Sequence, residues 1–422
     1  MKGKIYYSLY DRLLHKEFLY EAFRGVKSSG GTGGIDNQDI GDFAQNLDCN
    51  ITLLLKELKG KTYRPKPVKR VEIEKETGGK RLLGIPTVRD RVVQHAVLNI
   101  LQPIFEEDFH PSSYGYRPGR SCHQAISKAQ LFIRKYDLKY VVDMDLSKCF
   151  DTLDHKIILK SLRKRITDGS VLELVESFLK SGVMTEKGIE KTLTGSPQGG
   201  VISPLLANIY LNAFDQFMKS RNYRIVRYAD DILILSRSKR SAEHALEVAT
   251  EFLEKKLKLT VNREKTHITH SFQGVKYLGV TICSNYTSIQ KKKIKAFKEK
   301  VKKLTRRTQG RNLKMILKKL NPILRGFCNY FRIANCKNIF LKLMEWIRRR
   351  LRSIQLKLWK KPRKLHKVLR RNGRTGNFKK IKMTSWKNSC SQLAHMAMPN
   401  CWFDELKLFN MEKVDTGIIV PC

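Results

Sequence analysis

Apolar positions follow two periods along this chain, and the change from one to the other divides it. Up to about residue 290, helix-like and strand-like patterns alternate, punctuated by turn residues such as Gly30-Gly31-Thr32-Gly33-Gly34. Thr77-Gly78-Gly79 forms a second turn between two candidate strands, VKRVEIEK and KRLLGIP. Tyr140 to Leu146 alternates strictly, with Val142, Met144 and Leu146 on one face and Val141, Asp143 and Asp145 on the other. From Ile225 to Leu235 two adjacent acids, Asp230 and Asp231, interrupt an otherwise apolar run, which predicts a hairpin whose turn carries the acids. Beyond residue 290 the spacing is helical: Leu313, Ile316, Leu317 and Leu320 form one stripe, and Phe340, Leu343, Ile347, Leu351, Ile354 and Leu358 another. There is no internal repeat, and the apolar Ile418-Ile419-Val420 receives no assignment.

Charge sharpens this division. The 422 residues hold 83 lysines and arginines against 39 acids, a formal net charge of +44. Self-repulsion of that size opposes compaction unless a polyanion neutralises it, so nucleic acid is the expected partner. The excess is local: between Lys291 and Lys382 there are 34 basic residues and two acids, Glu299 and Glu345. Because this stretch also carries both helical stripes, it reads as packed helices with basic outer faces. Phe327, Tyr330, Phe331, Trp346 and Trp359 lie among the charges and could stack on bases or fill the core.

Several classes are disfavoured. No run of about 20 apolar residues appears, and MKGKIYYSLYDRLL lacks the apolar region of a secretion signal, so an intracellular (cytoplasmic) protein without a membrane partner is expected. Nine cysteines with no C-x-x-C pair indicate neither a disulfide framework nor a zinc ribbon, and most of the thiols are expected to be buried. His267, His270 and Cys283 lack a fourth zinc ligand.

The acids carry the candidate chemistry. If two strands bring Asp145 beside Asp230 and Asp231, three like charges meet and cannot all stay ionised without divalent cations. Two Mg²⁺ ions, with Mn²⁺ as a substitute, would resolve that conflict and suit an in-line phosphoryl transfer. Between the two places lies TGSPQGGVISPLLANIYLN, residues 194–212, a glycine-rich turn running into a helix. Its glycines allow close backbone approach to a nucleotide, and Gln198 can hydrogen-bond to one.

In this order the motifs resemble the reverse transcriptase/maturase proteins of bacterial group II introns, particularly the short class C type, over roughly residues 10 to 400. The shared stretches include SSYGYRPGRSCHQAI, YVVDMDLSKCFDTLDH, LTGSPQGGVISPLLANIYL, RYADD, LKLTVNREKT and RGFCNYFRIAN. The resemblance implies an RNA-directed DNA polymerase, with Asp145, Asp230 and Asp231 as metal-holding catalytic acids and the Leu146 carbonyl completing the metal shell. It implies Lys75 and Arg81 as triphosphate-gripping cations, Phe150 as the aromatic that rejects a 2′-hydroxyl, Gln198 as a nucleotide contact and Lys265 as a proton donor to pyrophosphate. Arg117, Arg325, Tyr330, Arg332, Arg348 and Arg349 would contact nucleic acid, with intron RNA as template, a DNA primer or target, and dNTPs as substrates. Glu74 and Glu76 flank Lys75 where relatives are less acidic. Cys390, Cys401 and Cys422 do not supply the paired cysteines of a His-Asn-His endonuclease, so strand cleavage is not expected.

The implied fold is α+β with a right-hand polymerase layout and a βαββαβ-like palm. The expected division is an N-terminal extension (1–60), fingers and palm (61–285), a helical thumb or maturase domain (286–361) and a small basic C-terminal region (362–422). A non-enzymatic RNA-binding splicing cofactor and a domesticated reverse transcriptase in DNA repair or phage defence remain as alternatives, and the oligomeric state is not legible.

Overall fold

A computed structural model describes residues 4–74, 79–185, 188–190, 194–197, 199–308 and 310–418. The chain forms two compact units, Met1–His270 and Ser271–Cys422. Among the described residues no helix is long and apolar enough to cross a membrane.

The first unit begins with helices α1 (Lys16–Ser29), α2 (Ile40–Gln45) and α3 (Leu47–Lys59). On α1, Leu19, Ala22, Phe23 and Val26 are buried at i, i+3, i+4 and i+7, a single stripe turned to the core. That stripe faces α4 (Val88–Glu106), which starts at Thr87, whose side chain caps the Asp90 amide. Between α3 and α4 the two expected strands form a hairpin, β1 (Val68–Glu74) and β2 (Lys80–Ile85), in register from Lys69↔Ile85 to Glu74↔Lys80. Lys75, Glu76 and the Thr77-Gly78 part of its predicted turn lie outside the described residues.

After α5 (Cys122–Arg134) comes a second sheet, and its connectivity is that of a βαββαβ palm. Strand β3 (Tyr140–Met144) is followed by α6 (His155–Leu162) and α7 (Gly169–Leu179), capped by Asp154 and Asp168 respectively. Short strands β4 (Val183–Thr185) and β5 (Gly188–Glu190) extend the hairpin sheet, giving the order β2-β1-β4-β5. Helix α8 (Ser203–Ser220) then leads to β6 (Arg224–Tyr228) and β7 (Asp231–Ser236), and α9 (Lys239–Glu251) leads to β8 (His267–His270). The palm order is β6-β7-β3-β8, antiparallel throughout, so the strand with Asp145 at its end lies in the interior of the sheet.

The second unit opens with a small antiparallel sheet of β9 (Val275–Tyr277), β10 (Val280–Ile282) and β11 (Thr287–Ile289). Helices α10 (Lys291–Leu304), α11 (Leu313–Phe331), α12 (Lys337–Trp359) and α13 (Pro362–Arg371) follow. Both predicted stripes are buried on α11 and α12, except that Leu358 is half-buried in the last turn and Leu356 is buried instead. The tail returns to α12, where Glu412 meets Arg348 at 2.7 Å. Of the eight described cysteines, all free, Cys149, Cys283, Cys328 and Cys336 are buried, whereas Cys49, Cys390 and Cys401 are exposed, so the expectation that most thiols are buried holds for only half. Burial pushes the thiols of Cys149, Cys328 and Cys336 up to about 12, which leaves them unreactive near neutral pH.

Candidate active site

The palm sheet assembles the acids through strand register. Met144 on β3 pairs with Ile232 on β7, so Asp145 and Asp231 follow one step further at the same end of the sheet. Tyr228 pairs with Asp231, which leaves Ala229-Asp230 as a two-residue turn between β6 and β7. That turn holds Ala229 at φ 57°, in the left-handed region that costs an L-residue about 1 kcal/mol or more. Asp145, 85 positions before Asp230, therefore meets it and Asp231 at one end of one sheet.

Electrostatics follow from that meeting. Asp231 reaches solvent on one side but is ringed by protein on the others, and desolvation is the largest influence raising its pKa. Repulsion from Asp230, Asp143 and Asp145 adds to it, Lys265 opposes it, and the pKa is pushed up to about 7. The Lys265 Nζ lies 3.0 Å from Asp145 Oδ2, and the Asn262 side-chain amide donates to the same oxygen at 3.2 Å. Backbone contacts fix this loop: the Asn262 N–H donates to the Asp145 carbonyl at 2.9 Å, and Leu146 bridges Val261. The sequence reading missed Asn262 because an asparagine in a loop carries no signal until its partner is known.

These oxygen donors suit a hard divalent cation by their chemistry. Among the described residues, however, no group of three or more Asp, Glu, His or Cys side chains stands at metal-ligand spacing. The acids are near one another without being closed around a common point, and Lys265 occupies one Asp145 oxygen.

Beside the acids runs the glycine-rich loop. The Gly195 N–H donates to the Leu153 carbonyl at 2.8 Å and the Ser196 N–H to the Phe150 carbonyl at 2.7 Å. A Cβ on Gly199, at φ 123°, would stand 2.6 Å from the Gly84 carbonyl oxygen of β2, so the loop passes too close to the hairpin for any side chain there. Phe150 is half-buried and meets Tyr116 edge to face at 6.2 Å. A cleft of about 440 Å³ opens between this loop and the β1–β2 hairpin, with Arg70 and Lys148 in its lining. Neither cation was singled out from the sequence. Gln198 and the side chain of Arg81 lie outside the described residues.

Two of the predicted nucleic-acid contacts have other partners. Arg117 is buried: its Nε donates to Glu106 at 2.8 Å and its Nη1 to the carbonyls of His110 and Ser113 at 2.8 and 2.7 Å. Arg348 is buried on α12 and forked onto Glu412 at 2.7 and 2.9 Å. Both guanidiniums satisfy internal acids, because a buried charge without a partner is too costly to keep. Arg325 and Arg332 are exposed, and Arg325 lies over the Phe409 ring at 5.5 Å. Arg349 is half-buried over Trp386 at 5.3 Å, and the Tyr330 hydroxyl donates to the Leu278 carbonyl at 2.9 Å.

A βαββαβ palm with acids at its tip fits a right-hand nucleic-acid polymerase, and comparison with known proteins shows the class. Residues 73–282 match the family described as reverse transcriptase (RNA-dependent DNA polymerase), and residues 294–373 match the group II intron, maturase-specific domain. Protein YkfC of Escherichia coli is 37% identical over 302 residues, covering 62% of this chain and 79% of that one. The group II intron-encoded protein LtrA of Lactococcus lactis is 29% identical over 451 residues, covering 81% of this chain and 74% of the other. An uncharacterized protein in the cob intron of Schizosaccharomyces pombe is 33% identical over half of this chain and 26% of its own. The chain is an RNA-directed DNA polymerase. It belongs to the group II intron reverse transcriptase/maturase family, which works on RNA templates and uses divalent metal.

Proposed function

We propose that this protein copies intron RNA into DNA by extending the 3′-hydroxyl of a DNA primer with dNTPs, its catalytic residues being Asp145, Asp230 and Asp231. These acids, with the Leu146 carbonyl, would hold two Mg²⁺ ions, which supply activation of the attacking hydroxyl and charge relief for the leaving pyrophosphate. The observation that carries this reading is the meeting of Asp145, Asp230 and Asp231 at one end of the palm sheet, where desolvation first and repulsion from Asp230, Asp143 and Asp145 second push Asp231 up to about 7. Lys75 and Arg81 grip the triphosphate, Arg by a fork that a lysine cannot form. Phe150 closes off the space a ribose 2′-hydroxyl would need, so deoxynucleotides are selected by exclusion. Gln198 orients the nucleotide. Lys265, now on Asp145, hands a proton to the departing pyrophosphate.

The maturase role belongs to the second unit, where exposed Arg325 and Arg332, with Arg349 and Tyr330, bind the intron RNA being spliced. Primer extension on an annealed RNA template with Mg²⁺ and dNTPs tests the site. The expected result is no extension by Asp230→Ala or by wild-type protein in excess EDTA, with extension returning to the wild type on adding Mg²⁺; normal extension by Asp230→Ala would overturn the assignment.

A further inference from the structure

Strand β6 places an arginine in the middle of the palm core. Arg227 and Asp215 both have side chains at 0% exposure, and Asn208 is 1% exposed. Asn208 and Asp215 lie seven residues apart on α8, hence on one face of that helix, and both are directed at the guanidinium. The Arg227 Nε donates to both Asp215 oxygens at 2.8 and 3.0 Å, and Nη2 donates to Oδ2 at 2.6 Å. Nη1 donates to Asn208 Oδ1 at 3.0 Å and to the carbonyl oxygen of Ala229 at 3.0 Å.

If packing were all that was needed, apolar residues of similar volume would serve as well or better, because burying an ion pair is costly. What an apolar side chain cannot do is hold a turn carbonyl. Ala229 is the residue at φ 57°, immediately before Asp230. On the other side the turn abuts backbone: a Cβ on Gly115 would stand 2.3 Å from the Ala229 nitrogen. Asn208 completes the clamp, its Nδ2 donating to the Gly115 carbonyl at 2.8 Å. The segment around Gly115 is itself tied to β6, since the Arg227 N–H donates to the Ser112 carbonyl and the Tyr114 N–H to the Arg227 carbonyl, each at 2.9 Å.

We propose that Arg227 is a positioning residue of the polymerase reaction: clamped by Asp215 and Asn208, it holds the Ala229 carbonyl and so fixes the strained turn that aims Asp230 and Asp231. The inference rests on the reading that those two acids hold the catalytic metals. Its reach is geometric, since a displacement of about 1 Å in a catalytic group can cost roughly a hundredfold in rate.

The test is steady-state primer extension, normalised to folded protein, by two variants. Arg227→Met/Asp215→Leu removes the pair without stranding a charge, and Arg227→Lys keeps the charge but loses the fork. For both, kcat per folded molecule should fall, by roughly a hundredfold in the double variant. KM for dNTP and template affinity should stay within about twofold, and the Mg²⁺ concentration for half-activity should rise. Adding Ala229→Gly to the double variant should recover part of kcat, because glycine adopts the left-handed turn without strain. A merely stabilising role predicts instead that the loss tracks the unfolded fraction, with kcat per folded molecule and Mg²⁺ dependence unchanged in both variants; that result overturns the proposal. Asp230→Ala is run alongside. If it is inactive while the Arg227 variants are normal, only this inference fails, and if it extends normally both fail together.

Discussion

Asp231 is the residue at which the conflict inside the site becomes measurable. Its carboxyl is raised from the ordinary 3.8 to about 7, first by desolvation and then by Asp230, Asp143 and Asp145. A carboxyl raised on folding ionises more readily in the unfolded chain. Its contribution therefore disfavours the fold increasingly as pH rises from about 3.8 through about 7, and is fully present above that. In EDTA, the wild-type Tm should drop relative to Asp231→Asn between pH 5 and pH 8, and Mg²⁺ should raise the wild-type Tm more at pH 8 than at pH 5. A parallel pH dependence of the two proteins would sink this account. The three acids stood out in the sequence because carboxylates set in strand-like apolar segments demand a cationic partner. Arg227 stands in one of those segments, yet its meaning lies in Asp215, twelve positions upstream on another element, and no local pattern reveals that meeting.

At the scale of elements, the same blindness to partners explains why the resemblance could assign Arg117 and Arg348 to nucleic acid without revealing that each has a carboxylate partner inside the fold. Sequence supplies the charge but not the distant acid that answers it: Glu106 eleven positions before Arg117, and Glu412 sixty-four positions after Arg348. The helical stripes were legible because burial on α11 and α12 is set by spacing alone, and the β1–β2 hairpin because its turn residues stand between two strand-like runs. The return of the tail to α12 was not, since Phe403, Leu408 and Met411 are buried without a periodic stripe to announce them and the polar contacts join residues far apart in the chain. The Glu412 carboxylate forks onto Arg348, the Lys337 Nζ donates to the Glu412 carbonyl at 2.7 Å, and the Gly417 N–H donates to the Arg332 carbonyl at 2.8 Å. Glu412→Ala would leave the Arg348 guanidinium buried and unpaired, at a cost of about 2–4 kcal/mol. Urea unfolding of the full chain should show that loss, and Arg348→Met/Glu412→Leu should recover most of it. If Glu412→Ala unfolds at the wild-type urea midpoint, the tail does not brace α12.

For the whole molecule, the asymmetry of charge sets how it meets RNA. The 34 basic residues between Lys291 and Lys382 face only two acids in the same stretch. Each phosphate they neutralise releases counterions, and six to ten such contacts would weaken binding by roughly 10³- to 10⁵-fold between 50 and 200 mM salt. On the proposed reading, exposed cations should contribute more than Arg348, whose guanidinium is already paired with Glu412. Arg325→Gln or Arg332→Gln, each removing an exposed cation, should therefore flatten the plot of log affinity against log salt by just under one unit. Arg348→Met/Glu412→Leu, which removes an internal pair of opposite charges, should leave that slope unchanged. Filter binding of the intron RNA across a salt series distinguishes the two. A slope that flattens equally for the exposed and the buried arginine would mean that Arg348 leaves Glu412 for the RNA, and that burial in the free protein is a poor guide to the bound surface.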